Sequence, residues 1–151
     1  MALEEIDFKN GETPASAETM KAFQANIKNE FEHIAPVVLY ENENGSTGTI
    51  SLSESVENFA YIEIFYRDIA STVRNSADSV KVSDANGKYV NAKIFGPARA
   101  TSNQLRYALT TYKINSTQIS ATDYLAGYII NSEISYYGVQ EIAITKVVGY
   151  R

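Results

Sequence analysis

Five apolar side chains recur at helical spacing in the first part of the chain, at intervals of 3, 4, 4 and 3 residues: Met20, Phe23, Ile27, Phe31 and Ile34. This spacing places them on one face of a helix, which we expect to run from Ala17 to His33. Thr13-Pro14 or Ser16 can begin the helix. Pro36 ends it, because proline cannot extend the hydrogen-bond ladder. An isolated helix of this length is marginal in water, so its apolar face must pack on a partner.

The sequence leaves two partners open for this face. It can form a bundle with helices of other copies, or it can pack on the chain's own β-domain. Five apolar positions are too few to fix the number of helices in a bundle. Residues 1–12 are polar apart from an alternating pair, Ile6 and Phe8, and they predict an extended arm before the helix.

After Pro36 the apolar positions alternate with polar ones, which is typical of β-strands. Two turn sequences predict hairpins. The first, Asn42–Gly45, lies between the strand segments Val37–Glu41 and Gly48–Ser53. The second is Asn86-Gly87, which lies between two short runs of alternating apolar residues and accepts the positive φ angles of a tight turn.

The remaining strand segments differ in their apolar patterns. Phe59–Arg67 is apolar on both faces, which is typical of a central strand. In Leu105–Ile114 the apolar positions are 105, 107 and 109 and then 112 and 114, a shift that predicts a bulge near Thr110. Two later strand faces are predicted by alternation: Tyr128, Ile130 and Ile134, and then Ile142, Ile144 and Val148.

Counting these segments gives about eight strands, at a spacing typical of antiparallel β-sandwiches and barrels. We therefore predict a mainly β chain, with an antiparallel sandwich or barrel-like domain preceded by an extended arm and one α-helix. Residues 1–35 form the arm and the helix, which serve in attachment or oligomerisation. Residues 36–151 form the β-domain.

Charge and composition exclude several classes of function. The net charge is −5 and the 13 Lys and Arg residues are dispersed, so binding to a nucleic-acid backbone is not expected. The chain has no cysteine, which removes thiol nucleophiles and cysteine-bound metals. No apolar run is long enough to insert in a membrane. Met1–Phe8 is acidic and unlike a signal peptide, so we expect synthesis in the cytoplasm without one.

Candidate catalytic and metal-binding residues are few. His33 is the single histidine, and it stands near the end of the predicted helix beside an acid rather than near a nucleophile motif. Glu63 lies on an apolar strand, yet glycoside hydrolysis needs a second carboxylate and none is evident. Three aspartates lie near turns, where Asp commonly bonds the local backbone: Asp78, Asp84 and Asp123. We therefore expect no enzyme, no cofactor and no metal.

The chain has eleven tyrosines, a composition that suits β-domains with contact surfaces. Three of them are candidate contacts to a glycan or a protein partner: Tyr124, Tyr136 and Tyr137. The last two are adjacent and precede Gly138, which predicts a loop whose rings could stack on a sugar face. The alternative is that one of the two rings packs inward.

Several segments together resemble a known family. Phe8–Met20 reads as an aromatic residue, Asn-Gly, Thr-Pro and a helix start rich in small residues. It resembles the N-terminal signature of tail-fibre and baseplate proteins of phages that infect Gram-positive bacteria. Gly48–Ser55, Tyr61–Tyr66 and Ile144–Tyr150 look like the β-domain that many such proteins carry.

This resemblance implies a structural protein of a phage tail, a prophage or a phage-derived contractile particle, located in the virion or tail-like particle. It implies a homotrimer whose partners are other tail or baseplate proteins, and it does not imply an enzyme. The leading hypothesis is therefore an attachment or adaptor role within such a particle. The alternative is a receptor-binding module that recognises a host cell-surface glycan through exposed tyrosines.

Overall fold

The computed structural model describes residues 17–69, 77–97, 105–130 and 133–151. The chain divides into two compact units, residues 1–35 and 36–151. In the first unit, helix α1 spans Ala17–Ile34, one residue longer than predicted. Glu18 in its first turn and His33 in its last turn both suit the helix dipole. The predicted arm and the helix-starting residues Thr13, Pro14 and Ser16 lie outside the described residues.

The second unit is built of strands, and the described residues contain nine: β1 Val37–Ser46, β2 Ile50–Ser51, β3 Tyr61–Asp68, β4 Ala77–Ser83, β5 Tyr89–Pro97, β6 Leu105–Asn115, β7 Gln118–Ile130, β8 Glu133–Tyr137 and β9 Ile142–Tyr150. The first sheet has the order β1-β9-β3-β4, and the second has the order β2-β7-β6-β5 with β8 also paired to β7. All pairings are antiparallel. The predicted mainly β, sandwich-like fold with a preceding helix is confirmed, with nine strands rather than about eight.

The core contains alternate residues of both sheets. Strand β3 lies between β9 and β4, inside the first sheet as its two apolar faces predicted. Its residues Ile62 and Ile64 are fully buried. Tyr112 of β6 is equally buried, and its hydroxyl donates a 2.9 Å hydrogen bond to the Ile142 carbonyl of β9. Burial raises the pKa of Tyr112 to about 12.

The first predicted hairpin is wrong. β1 pairs with β9 and β2 pairs with β7, so these neighbours in the chain belong to different sheets. Asn42–Gly45 does not link two strands but forms a bulge inside β1, standing opposite Thr145 of β9. Gly45 has φ 75°, and a Cβ there would lie 2.7 Å from the Cβ of Ala143. The glycine that suggested a hairpin turn therefore serves the bulge.

The second predicted hairpin is also wrong. β4 belongs to the first sheet and β5 to the second, so the Asn86-Gly87 turn crosses from one sheet to the other. Gly87 does adopt a positive φ, 76°, and its N–H donates to the Ile114 carbonyl at 2.8 Å. Ala85 is 4% exposed and packs in the core, which draws this connection between the sheets.

The predicted bulge lies on another strand. β6 alternates regularly, with Arg106, Ala108, Thr110, Tyr112 and Ile114 facing the core. The register shift is on β7, because Thr111 pairs with Asp123 while Tyr112 pairs with Ala121. The sequence pattern was misleading because two inward positions of β6 are polar. Leu105, Tyr107 and Leu109 therefore resembled the inward residues of the strand, but they face away from the core.

The segment around Tyr128 also differs from the prediction. Tyr128 lies opposite Ser135 and Ile134 lies opposite Ile129, so Tyr128 and Ile134 are on opposite faces of the sheet. The alternation places these residues on one face only if the segment is a single strand. The chain instead reverses between Ile130 and Glu133, and the pair Tyr136-Tyr137 lies at the end of strand β8 rather than in a loop.

Candidate interaction surface

The outer side of the second sheet carries a continuous apolar surface. The inner side chains of β6 fill the core, so their neighbours in sequence point to the other side. Strand register aligns these outward residues in rows across β5, β6, β7 and β8. We call the set the outer apolar face; it comprises Phe95, Leu105, Tyr107, Leu109, Leu125, Ile129, Ile134 and Tyr136.

Two of these rows hold most of the apolar area. One row runs Phe95–Tyr107–Gly127–Tyr136 across four strands. Phe95 is 64% exposed and Tyr136 is 62% exposed. The next row holds Leu105, Ile129 and Ile134. An exposed row of this kind marks an interaction surface more often than an isolated apolar residue does.

Gly127 leaves room for the Tyr107 ring at the centre of the first row. A Cβ on Gly127 would lie 2.6 Å from the Tyr107 hydroxyl oxygen and 2.3 Å from the Ser135 carbonyl. The Tyr107 ring therefore lies over the glycine. It meets Tyr136 edge to face, with ring centroids 6.0 Å apart. This contact orients Tyr136 on an otherwise short edge strand.

A buried ionic cluster joins the two sheets near the end of β8. The Arg106 guanidinium of β6 bonds Asp68 at the end of β3 and Glu141 just before β9. All three residues are less than 8% exposed. Burial by itself would lower the pKa of Arg106, but the hydrogen bonds to both carboxylates raise it. The cluster therefore holds the guanidinium charged between the sheets.

Tyr137 connects β8 to this cluster. Its hydroxyl donates a 3.0 Å hydrogen bond to Glu141 Oε1, and its ring lies 5.5 Å from that of Tyr128. The ring is partly buried against the core. Tyr137 thus packs inward while Tyr136 points outward, as the alternation of a strand requires.

Tyr124, the third candidate tyrosine, is placed apart from the other two. It is 44% exposed, and the register sets it opposite Thr110, whose side chain faces the core. Tyr124 therefore does not belong to the outer apolar face. The structure brings Tyr136 and Tyr137 together on β8, whereas Tyr124 lies on a stretch of β7 that pairs with β6 but with neither β2 nor β8.

The helix carries a second apolar surface. Its five predicted interface side chains are 38–66% exposed: Met20, Phe23, Ile27, Phe31 and Ile34. Polar residues dominate elsewhere on the helix, including an exposed Lys28–Glu32 ion pair of 3.7 Å. We call these five residues the helix stripe. It is an amphipathic face that suits packing against another apolar surface.

The candidate chemical residues have local partners. Glu63 accepts hydrogen bonds from the hydroxyls of Ser79 at 2.7 Å and Tyr150 at 3.2 Å. Asp78 and Asp123 each accept a bond from the N–H of the next residue. Among the described residues, no group of three or more His, Cys, Asp or Glu is placed to hold a metal ion.

Sequence reasoning missed most of the outer apolar face, including Phe95, Leu105 and Ile134. One feature of the sequence could have revealed it. Leu105–Ile114 has apolar residues at both its odd and its even positions, so either both faces of the strand are covered or one exposed face is apolar. Within the described parts of the chain, no helix is both long and apolar enough to span a membrane. No family model and no curated protein matches the chain.

Proposed function

We propose that this chain is a structural component of a phage tail or of a phage-derived contractile particle, of the tail-fibre or baseplate kind, with an attachment or adaptor role. The observation that supports this most is the helix stripe. Five large apolar side chains on one helical face are suited to a bundle of identical helices, and a homotrimer would hold three β-domains in one assembly.

The energy available from the stripe is substantial. Complete burial of a large apolar side chain contributes roughly 1.5–3 kcal/mol, and these side chains are about half exposed, so each would contribute on the order of 1 kcal/mol. The stripe as a whole would contribute on the order of 5 kcal/mol per protomer before association entropy is subtracted. That is enough for a helix bundle supported by further contacts between the copies.

Light scattering coupled to size exclusion tests this proposal through Phe23→Asp, which places a charge in the middle of the stripe. We expect the native chain to have a mass of three protomers or a multiple of three, and the variant to lose this threefold assembly. Ala25→Asp is the matched control, because it places the same residue on the opposite helical face and should leave the mass unchanged. A native monomer, or a Phe23→Asp protein of undiminished mass, would contradict the helical interface.

A second candidate function is recognition of a host cell-surface glycan. The exposed rings of Tyr136 and Tyr124 support it, because an aromatic ring can stack on the apolar face of a sugar. Retention of the chain on host cell-wall polysaccharide, with loss on Tyr136→Ala or Tyr124→Ala, is the expected result. Equal retention of both variants and the native chain would argue against these two rings as the contacts.

A further inference from the structure

The outer apolar face is large enough to form an interface. A fully exposed aromatic side chain presents roughly 150–250 Å², so Phe95 and Tyr136 at 64% and 62% exposure each present on the order of 130 Å². Ile134, Leu105 and Leu125 are 52%, 40% and 37% exposed and extend the patch. Together the five present on the order of 500 Å², near the upper end of the largest apolar patch of a typical monomer. With its polar rim the face approaches the roughly 800 Å² that each partner buries in a stable complex.

The composition of the face favours a protein partner over a sugar. Sugar sites combine an aromatic platform with several side chains that bond hydroxyl groups. Here the rings are surrounded by aliphatic side chains, Leu105, Ile129 and Ile134, which offer no hydrogen bond. An apolar face of this kind is complementary to another apolar face.

Charged residues on the same side of the sheet make this face complementary to the same face of a second copy. Lys93 on β5 lies opposite Leu109 of β6, and Asp123 on β7 lies opposite Thr111 of β6. Both charged residues are exposed. A two-fold axis parallel to β6 and passing over it exchanges β5 of one copy with β7 of another. Lys93 of each copy then lies over Leu125 of the other, two residues along β7 from Asp123, which the lysine side chain can reach, and both pairs are attractive. Lys113, which also points outward from β6, meets Lys113 of the other copy, so two attractive pairs stand against one like-charge pair.

We propose that the outer apolar face is an interface between two copies of this chain, packed face to face about a two-fold axis along β6. Residues of β6 that point outward lie on this axis, so Leu109 of one copy meets Leu109 of the second. Phe95 and Tyr136 lie on either side of β6, and both become buried in the interface. The interface is separate from the helix stripe and does not require it.

Thiol cross-linking tests this geometry directly, because the chain has no cysteine of its own. Two sheets packed face to face lie about 10 Å apart, which is too far for a direct disulfide but within reach of a bis-maleimide reagent. Leu109→Cys should be trapped as a covalent dimer by such a reagent. Ser135→Cys is the matched control, since Ser135 is exposed on the opposite side of the same sheet, opposite Tyr128. Equal trapping of the two variants would overturn the proposal. The same experiment with Phe23→Asp added separates the two surfaces, because trapping at position 109 should persist when the helix contact is lost.

Charge exchange supplies a second test that does not depend on a cysteine. Lys93→Glu and Asp123→Lys should each weaken the face-to-face dimer about tenfold, because each creates two like-charge contacts. The double variant Lys93→Glu/Asp123→Lys should recover the native dissociation constant, measured by sedimentation in the Phe23→Asp background. Lys21→Glu, on the helix, should have no effect. A double variant no tighter than the single variants would overturn the proposed pairing.

Discussion

Replacing Arg106 by methionine should reveal how much the ionic cluster contributes to the β-domain. Arg106→Met keeps most of the side-chain volume but leaves Asp68 and Glu141 buried without their shared cation. Removing one partner of a buried pair typically destabilises a protein by about 3–5 kcal/mol. Whole domains are stable by only about 5–15 kcal/mol, so a large part of the stability would be lost. For a domain of this size we expect the Tm to fall by about 10–20 °C.

Circular dichroism during thermal and urea unfolding measures this loss. Arg151→Met is the matched control, because Arg151 pairs with Glu54 at 3.2 Å on the surface, where an ion pair contributes about 0–1 kcal/mol.

One result would refute this reasoning: an Arg106→Met protein whose Tm lies within about 3 °C of the native value, since that shift corresponds to less than about 1 kcal/mol. A triple variant, Arg106→Met/Asp68→Leu/Glu141→Leu, gives an independent check. It should recover most of the stability, because a buried ionic cluster can often be replaced by apolar side chains at little cost.

Further predictions concern the backbone and the tyrosines. Gly45→Ala should destabilise the β-domain by roughly 1–3 kcal/mol in urea unfolding, because it combines a positive φ with a 2.7 Å approach to Ala143. Gly48→Ala, which has open space around it, should change stability by less than about 0.5 kcal/mol. Tyr112 has a folded pKa of about 12 against 10.0 unfolded, so its contribution is present below pH 10 and is lost as the pH rises through about 12. Alkaline unfolding should therefore be less steep in Tyr112→Phe, and an unchanged slope would contradict this.

The sequence predicted elements better than it predicted their pairing. The helix was found because its five apolar positions follow one period, and β3 was found because both of its faces are apolar. Both hairpins failed for the same reason. Gly45 and Gly87 report a local positive φ, which a bulge or a crossing between sheets needs as much as a hairpin does. Which strands then pair is decided by packing in the whole core, into which Ala85 of the second turn is drawn.

The outer apolar face could not be predicted from the sequence because of two polar residues. Arg106 and Thr110 occupy inward positions of β6, so the apolar phase of that strand was assigned to the wrong side. Arg106 can be buried only because Asp68 and Glu141 reach it from the other sheet, at sequence separations of 38 and 35 residues. No local pattern contains that information. The helix stripe, in contrast, needed no distant partner to be identified.

The position of β9 determines the order in which the first sheet can form. This strand lies between β1 and β3, about a hundred residues after β1 in the chain. Neither neighbour can complete its ladder until β9 has left the ribosome, so the sheet must fold after synthesis of the β-domain rather than during it. A chain cut before Ile142 would lack the strand that holds the sheet together. We expect such fragments to be degraded or to aggregate, because β1 and β3 would each present an unpaired strand edge.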